Sequence, residues 1–378
     1  MQQIQNSSTA FTGVTTSIER LGVVASPQGR FQAEGVLNPA IYHDRDGNLV
    51  MMMRSVSHGN VSRLEMLRQP WSEGKPLIID GQEAPFERVG FAFVPQARYE
   101  RRRRLSSTGS FELIGGEGCE DPRVTFIPIL DCYLVCYTAF GPEGPRIAVG
   151  SSKDGYKWHR LGLLNIPEQF GLAKDDKDAA FFPEPVVSPK GEISLALFHR
   201  PMYNVPLEGD MDSVQSTLHA DPSLRQCIRI AYIPLAPAVR NLRSVLNVSE
   251  SQLVLEPGSD WGVFKVGGGT APLAIKQGWL EIFHGVDQFP AGNGKYRSRY
   301  AGGIIIHDKL TPHKVLYVSP EPMMKPETKD ELEGIVNNVV FPTGIVHRPD
   351  LGEYVYDIYY GMADRLIGRA RLTITFQD

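Results

Sequence analysis

The chain has 378 residues and a hydrophobic content of 42%, values typical of a folded globular protein, and they exclude a disordered or fibrous chain. Lys and Arg total 39 and Asp and Glu total 43, and the net charge of −4 excludes nucleic-acid binding by bulk positive charge. No apolar run approaches the ~20 residues that cross a bilayer, and residues 1–10 show no secretory signal. We therefore expect a cytoplasmic protein with no nucleic-acid or membrane partner.

The predicted elements are short strands. Helical periodicity is scarce, and short runs of apolar, β-branched or aromatic residues alternate with clusters of Gly, Pro, Asn and Asp. Short strands joined by such turns are typical of all-β architecture. In chain order, the clearest runs are 48–53, 133–140, 193–198, 279–284 and 354–360.

The strand runs recur at a coarse spacing. Clusters near residues 40–55, 125–160, 180–200, 260–290 and 335–365 suit the four-stranded blades of a β-propeller, at ~50–70 residues each, better than a sandwich. The 37 Gly and 28 Pro are spread evenly, and no linker or domain boundary is visible. We predict one domain over residues 1–378 with an N-terminal extension at about 1–30. Loops at one end of a propeller converge on its central channel and can form a site there.

The four cysteines, at positions 119, 132, 136 and 227, are too few for a disulfide scaffold. Cys132 and Cys136 lie four residues apart in a strand-like run and therefore on one face of that strand. No matching half of a zinc site stands elsewhere in the sequence. We expect buried, reduced thiols and no metal site.

Segment 118–125 is the most informative part of the sequence. Glu120, Asp121 and Arg123 crowd a turn directly before an apolar strand. Since a proline disfavours helical conformations in the residue before it, Asp121 is expected to be extended, so that Glu120 and Asp121 point to opposite sides. One carboxylate then faces a pocket while the other caps the turn or pairs outside it.

Polar groups end several other predicted strands, each followed by Gly or Pro, and Gly lets the backbone approach a ligand closely. A pocket that binds a sugar or a phosphate explains this recurrence better than coincidence. The groups are Lys177 and Asp178, His199 and Arg200, Lys265 before its glycines, His284, Asn337 and Asn338, and Asp364.

From about Gly35 to the C-terminus, the chain resembles glycoside hydrolase family 130, five-bladed propellers that act on β-mannosides. Most members are inverting mannoside phosphorylases, and some are hydrolases. The resemblance implies an all-β, five-bladed β-propeller. The shared motifs, in chain order, are Asn-Pro-Ala at 38–40, Arg54, Glu-Asp-Pro-Arg at 120–123, Lys-Asp at 177–178, His-Arg-Pro at 199–201, Lys265 with its glycines, Phe-His-Gly-Val at 283–286, Val-Val-Phe-Pro-Thr-Gly at 339–344 and Tyr-Tyr-Gly-Met-Ala-Asp at 359–364.

The resemblance also implies roles for single residues. Asp121 matches the family's general acid, which protonates the glycosidic oxygen through the 3-hydroxyl of mannose. The implied substrates are a β-linked manno-oligosaccharide and inorganic phosphate, the product is α-mannose 1-phosphate, and no cofactor is implied. The positions that line the mannose subsite are Asn38, Arg54, Arg123 and Asp364, and those that hold phosphate are Lys177, Arg200, Lys265 and His284.

The role of Asp121 separates three hypotheses. As the acid of a phosphorylase that is protonated near neutrality, it needs a pKa well above the ~3.9 of a free Asp. A β-mannosidase of the same family would also need a carboxylate base for water, with Glu184 and Glu281 as candidates. A non-catalytic carbohydrate-binding propeller would keep the mannose subsite without needing Asp121 as an acid.

The chain departs from the family pattern in three places. Asp176 precedes Lys177 where Arg or Asn-Lys is expected, and the extra negative charge weakens a phosphate site. An apparent insertion at 202–226 shapes the acceptor subsites, reaches a neighbouring subunit of a homo-oligomer, or is a surface loop. A second insertion holds the four arginines 101–104 and is expected to be a solvated loop. The ionisable residues of the first insertion include Asp210, Asp212, His219 and Asp221.

Overall fold

The chain folds into five antiparallel sheets of four strands each, arranged as the blades of a β-propeller. The computed structural model describes residues 11–101, 103–105, 111–113, 116–203, 226–258, 260–292 and 295–377. In blades 1 to 4 the strands follow one another outwards from the central channel in chain order. The predicted all-β, five-bladed propeller is confirmed.

Each blade begins with an innermost strand at the channel and ends with an outermost strand at the rim. In that order the main strands are Gly35–His43, Leu49–Ser57, Val61–Gln69 and Glu87–Phe93 in blade 1; Glu117–Ile127, Cys132–Gly141, Gly144–Ser152 and His159–Leu163 in blade 2; Asp176–Phe181 with Val186–Val187, Ile193–Pro201, Ile228–Pro234 and Glu250–Leu255 in blade 3; Lys265–Gly268 with Leu273–Ile275, Gly278–Gly292, Lys295–His307 and Val315–Val318 in blade 4; and Val340–His347, Val355–Met362, Leu366–Gln377 and Gly13–Ala25 in blade 5.

Smaller elements lie in the connections. The two-stranded pairs are Trp71–Ser72 with Lys75–Pro76, Ile78–Ile79 with Gln82–Glu83, and Arg103–Leu105 with Phe111–Leu113. The short helices are Arg30–Gln32, Arg98–Glu100, Pro128–Leu130, Glu168–Phe170, Leu235–Arg240, Leu242–Leu246 and Lys329–Leu332. Within the described ranges, no helix has the length and hydropathy to span a membrane.

Local sequence accounts for the first turn of blade 1. The Asp44 carboxylate accepts hydrogen bonds from the backbone N–H groups of Asp46 and Asn48, both at 2.9 Å. Gly47 completes the turn with a φ of 84°, a conformation that glycine adopts without steric cost. An Asx turn of this kind reverses the chain, and the next strand begins at Leu49.

The N-terminal strand closes the ring. Gly13–Ala25 falls in the predicted N-terminal extension, yet it forms the outer strand of blade 5 by pairing with Leu366–Gln377 from the other end of the chain. Arg20 on this strand donates from Nε to Glu331 at 2.9 Å. Blade 5 is therefore complete only when both ends of the chain meet in one sheet.

The apolar core lies between neighbouring blades. Leu134 and Cys136 of blade 2 pack in one buried cluster with Leu195 and Leu197 of blade 3. Burying each such leucine contributes about 1.5–3 kcal/mol, so blade–blade contacts supply much of the stability. All four cysteines are buried and form no disulfide, as predicted.

The innermost strands all begin at the same end of the channel, which we call the upper face; the opposite end is the lower face. Four of these strands are bulged, those of blades 1, 2 and 3 and that of blade 5 between Pro342 and Gly344. A bulge bends the strand and re-aims a side chain, a device that is frequent next to active sites. The upper face is therefore the place to look for the predicted site.

Candidate active site

The bulges of blades 1, 2 and 3 each contain a polar residue with left-handed backbone. Asn38, Asp121 and Asp178 have φ values of 48°, 48° and 59°. For residues other than glycine this conformation costs about 1–3 kcal/mol and is common at functional sites. The bulges leave the three polar side chains at the channel end of blades 1, 2 and 3.

Glu120 and Asp121 converge on one guanidinium rather than pointing to opposite sides. Arg54 donates from Nη2 to Glu120 at 2.9 Å and from Nη1 to Asp121 Oδ1 at 3.3 Å. Asn38 donates through Nδ2 to the same Oδ1 at 2.8 Å. The expectation of an extended Asp121 before Pro122 is wrong, because the bulge gives Asp121 a left-handed backbone that turns both carboxylates to Arg54.

The pKa of Asp121 lies below its ordinary value. Burial raises the pKa of this carboxyl, but the positive charges of Arg54, Lys177 and Arg123 outweigh that effect. The hydrogen bond from Asn38 lowers the pKa further. The expected pKa well above 3.9 is therefore wrong for the free protein, in which Asp121 is ionised at neutral pH.

Asp364 borders the same carboxylates from blade 5. It lies in the turn between Val355–Met362 and Leu366–Gln377, with a φ of 55°. Burial raises its pKa to about 6, against the opposing charge of Arg54 and with a further contribution from Asp121. Its carboxyl is therefore partly protonated near neutrality and can donate to or accept from sugar hydroxyls.

Blades 3 and 4 bring three cationic side chains together. Lys177 and Arg200 are cross-strand partners in blade 3, and Lys265 begins the innermost strand of blade 4. The charges of Arg200 and Lys177 both act on Lys265, so the three lie within electrostatic reach of one another. Lys177 Nζ also lies 3.3 Å from Glu120 Oε2 and links this cationic cluster to the carboxylates.

Lys265 is the least compensated member of the cationic cluster. Burial lowers the pKa of its ammonium to about 7, Arg200 lowers it further, and Asp178 opposes the shift. Its Nζ lies 5.2 Å from the ring centroid of Tyr300, and within the described part of the chain no carboxylate forms an ion pair with it. A bound anion at this point would relieve the mutual repulsion of the cations.

Asp178 holds Arg200 in place. Arg200 donates from Nε to Asp178 Oδ2 at 2.6 Å, and the pKa of Asp178 is far below its ordinary value because, although burial raises it, the charge of Arg200 outweighs burial. Gly267 packs against this pair, and a Cβ there would lie 2.8 Å from Arg200 Nε. The first glycine after Lys265 and Val266 is thus required for close packing of the cluster.

His284 lies behind the cationic cluster, not in it. The side chain is 0% exposed, and its Nε2 is 3.6 Å from Asp178 Oδ2. Burial lowers its pKa to about 3, so the imidazole is neutral. In the free protein His284 therefore adds no positive charge to the cluster, and its role as a phosphate ligand stays a prediction.

Arg123 also departs from its predicted place in the mannose subsite. It is 1% exposed, and its Nη1 donates to the carbonyl oxygens of Asp121 at 2.9 Å and Pro122 at 3.2 Å. Its Nε donates to the carbonyl oxygen of Gly269. The guanidinium therefore binds backbone beneath Asp121 instead of lining the sugar pocket.

Known proteins are similar to this chain in sequence and in fold. The model of glycoside hydrolase family 130, described as β-1,4-mannooligosaccharide phosphorylase, matches residues 240–375. The chain is 31% identical over 258 residues to the β-1,2-mannobiose phosphorylase of Thermoanaerobacter sp. (strain X514), an alignment that covers 67% of this chain and 66% of that protein. The chain belongs to glycoside hydrolase family 130.

Two further relatives extend the likeness. The 1,2-β-oligomannan phosphorylase of the same Thermoanaerobacter strain is 29% identical over 258 residues, covering 68% of each chain. A structure of the β-1,2-mannobiose phosphorylase of Listeria innocua with β-1,2-mannobiose has a TM-score of 0.56 and 20% identity, covering 94% of this chain and 96% of that one. The sequence alignments thus span about two thirds of these curated relatives, while the structural likeness spans nearly the whole propeller.

Both carboxylates that were candidates for a hydrolytic base lie away from the site of this family 130 protein. Glu281 is 0% exposed, its pKa is raised well above the ordinary value by burial, and its nearest basic group is His307 at 3.5 Å. Glu184 follows the innermost strand of blade 3 at the lower face and pairs with Lys309 at 3.2 Å. Neither can activate a water molecule at the upper face.

Asp176, the extra anion by which this chain departs from the family pattern, binds partners within blade 3. Asp176 Oδ2 lies 2.7 Å from His199 Nδ1, and its Oδ1 accepts the backbone N–H of Arg200 at 3.0 Å. The side chain of Asp176 thus points to His199, but its charge also acts on Arg200, and the weakening of a phosphate site stays a prediction.

The sequence-based prediction missed two neighbours of the cluster, Tyr300 and Gln226. Tyr300 stacks with His284 at a ring-centroid distance of 6.1 Å and lies beside Lys265. Gln226 accepts a hydrogen bond from Arg200 Nη1. A strand residue followed by glycines, the signal used elsewhere, marks Tyr300 before Gly302, whereas Gln226 is marked only as the last residue of the insertion at 202–226.

Some predictions fall beyond the described residues. Asp210, Asp212, His219 and Asp221 of the first insertion all lie outside them. The arginine run lies partly outside; Arg101 is described, and its Nε donates to the carbonyl of Pro95 at 2.8 Å. Among the residues that the structure describes, no group of three His, Cys, Asp or Glu side chains is placed to hold a metal ion.

Proposed function

We propose that this protein is an inverting β-mannoside phosphorylase, which cleaves the β-mannosidic bond at the non-reducing end with inorganic phosphate and releases α-mannose 1-phosphate. The observation that carries the proposal is the cationic cluster of Lys177, Arg200 and Lys265 directly beside the carboxylates held by Arg54. A neutral sugar alone gives no reason to concentrate positive charge there, whereas a phosphate dianion does.

The carboxylate half of the site binds the mannose. Asn38 and Arg54 fix Asp121 through its Oδ1, and no described residue donates to Oδ2, which is the oxygen that acts on the substrate. Asp364 of blade 5 binds sugar hydroxyls through its partly protonated carboxyl. Asp121 delivers its proton to the departing oxygen through the 3-hydroxyl of mannose, as general acid.

Phosphate supplies the nucleophile and also helps to set the charge of the acid. The dianion binds Lys177, Arg200 and Lys265, attacks the anomeric carbon from the side opposite to the leaving group, and inverts its configuration. Lys177 is one of the cations that lower the pKa of Asp121. Negative charge beside Lys177 offsets this effect, so bound phosphate raises the pKa of Asp121 and favours its protonated form.

Phosphorolysis accounts for the site better than hydrolysis. An inverting hydrolase needs a carboxylate base ~6.5–9.5 Å from the acid, on the opposite side of the sugar. Glu120 and Asp178 are ion-paired with Arg54 and Arg200, and Asp364 borders the acid itself. On the side where a base would stand, the described residues present the cationic cluster.

The relatives favour the linkage to test first. The two Thermoanaerobacter proteins and the Listeria innocua protein carry names that refer to β-1,2-linked mannosides, whereas the description of the family model refers to β-1,4-linked ones. We therefore propose β-1,2-mannobiose as the first substrate, with β-1,4-mannobiose as the second.

The test is to incubate the protein with mannobioses of each linkage, with and without phosphate, and to assay mannose 1-phosphate and free mannose. We expect mannose 1-phosphate only in the presence of phosphate. Free mannose at equal rates with and without phosphate would establish the hydrolase instead. Sugar binding without either product from any linkage would establish the carbohydrate-binding propeller.

A further inference from the structure

Arg123 crosses the central channel beneath the acid. It stands on the innermost strand of blade 2, and its Nε donates to the carbonyl oxygen of Gly269, which follows Lys265–Gly268 in blade 4. Blade 3 separates these two blades in the ring, so the hydrogen bond spans the channel rather than joining neighbouring sheets. One side chain thus ties together the backbones of two blades that are not adjacent.

The partners of the guanidinium are unusual for a buried cation. They are three backbone carbonyls, those of Asp121, Pro122 and Gly269, and within the described part of the chain no carboxylate forms an ion pair with it. Burial lowers the pKa of Arg123, against the opposing charges of nearby carboxylates, which shows how strongly the position disfavours charge. Since a buried charge without a counter-ion costs stability, packing alone does not account for an arginine here.

The conformation of Asp121 explains what the three hydrogen bonds achieve. A residue before proline prefers extended backbone, yet Asp121 has a φ of 48°. Arg123 Nη1 binds the two carbonyl oxygens that follow this strained residue, those of Asp121 at 2.9 Å and Pro122 at 3.2 Å. If these oxygens were released, the backbone would relax towards its preferred conformation and carry the carboxyl away from Asn38 and Arg54.

We propose that Arg123 is a positioning residue, which locks the backbone of Asp121 and Pro122 so that the Asp121 carboxyl faces the substrate, and that it makes no contact with the sugar. This inference rests on the proposed function of Asp121 as the acid. It replaces the sugar-binding role that the family resemblance implies for Arg123, and it makes the floor of the channel part of the catalytic apparatus.

Two variants and a control test the proposal. Arg123→Met removes all three hydrogen bonds and is expected to lower kcat about 100-fold while the KM for mannobiose stays within about threefold. Arg123→Lys keeps the charge and can reach one carbonyl, so its kcat should fall about tenfold. Arg348→Met removes another buried arginine, which donates to Asp357 at 2.6 Å in blade 5. It should lower Tm but leave kcat unchanged.

Two kinetic outcomes overturn the proposal. A tenfold rise in the mannobiose KM of Arg123→Lys at unchanged kcat would return Arg123 to the sugar subsite. An unchanged kcat in both Arg123 variants would remove the positioning role. If Arg123→Met does not fold, the conservative Arg123→Lys variant decides between these results.

A measurement without turnover separates this inference from the proposed function. Carboxyl-13C labelling of aspartate, with the Asp121 signal assigned through Asp121→Asn, reports the pKa of Asp121 by NMR. If the carboxyl leaves Arg54, that pKa rises in Arg123→Lys although the positive charge is kept. An unchanged pKa in Arg123→Lys would overturn the positioning role, whether or not the wild type cleaves any mannoside.

Discussion

The two halves of the site differ in how their charges are balanced. In the carboxylate half, the guanidinium of Arg54 is bound by Glu120 and Asp121. In the cationic half, Asp178 compensates Arg200, but Lys265 has a pKa of about 7 and an aromatic ring as its neighbour. The carboxylate half therefore has no unpaired positive charge and suits a neutral, hydroxyl-rich ligand. The cationic half has one positive charge without a carboxylate partner and suits an anion. This difference identifies which half binds which substrate.

Removal of the acid breaks the carboxylate half and has the largest expected effect. Asp121→Asn keeps the contact with Arg54 but supplies no proton, so kcat should fall about 10³-fold, within the usual range for general acids. The affinity for mannobiose should stay within about threefold, as measured by calorimetry. A variant with wild-type turnover would show that another group protonates the leaving oxygen.

Removal of the uncompensated lysine breaks the cationic half. Lys265→Met loses one charge-assisted contact, worth about 1.5–3 kcal/mol, so the KM for phosphate should rise about 10- to 100-fold. The KM for mannobiose should not change. Lys309→Met is the matched control, because Lys309 lies at the lower face against the ring of Trp279. If the phosphate KM of Lys265→Met equals that of the control, the phosphate site has been misplaced.

The pKa of Lys265 predicts that phosphate binding depends on pH. In the free protein Lys265 loses its proton as the pH rises through about 7, and phosphate prefers the protonated form. The KM for phosphate should therefore rise about fivefold between pH 7 and pH 8, and level off below pH 6.5 apart from the titration of phosphate itself. The KM for phosphate is measured from initial rates across this pH range in wild type and in Lys265→Met. We expect the rise of KM with pH in the wild type only. An equal rise in both proteins would exclude Lys265 as its cause.

The smallest expected effect concerns Glu281. Its pKa is raised well above the ordinary value by burial, so the carboxyl is already neutral, and Glu281→Gln replaces one neutral group by another of the same shape. Turnover should stay within about twofold of wild type and Tm should change little. A loss of more than tenfold in turnover would return Glu281 to the role of a base and favour hydrolysis.

The sequence predicts those features that depend on local pattern. Short strands between turns at regular spacing predict the blades, and the motifs around Asn38, Arg54, Asp121 and Lys265 predict which residues meet at the upper face. Asp364 and Arg200 are placed there for the same reason, since each ends a strand beside the channel. The structure does bring these residues together, because strand ends in a propeller converge on the central channel. This convergence does not depend on how the side chains of the blades pack.

The remaining features depend on contacts between distant parts of the chain. The preference of a residue before proline gives the wrong backbone for Asp121, because Arg54 from blade 1 and Arg123, held by Gly269 of blade 4, stabilise the left-handed form. Strand-end position does not reveal depth, so His284 is predicted at the surface of the site although it lies behind Asp178. The pairing of Gly13–Ala25 with the last strand joins opposite ends of the chain, and no local pattern marks it.

The most direct test of phosphorolysis is a 31P NMR time course of the protein with β-1,2-mannobiose and inorganic phosphate. Attack by phosphate with inversion predicts that the phosphate signal falls while a single signal of α-mannose 1-phosphate grows, with one mannose released for each phosphate consumed. An unchanged phosphate signal while free mannose accumulates, or formation of the β anomer, would contradict it.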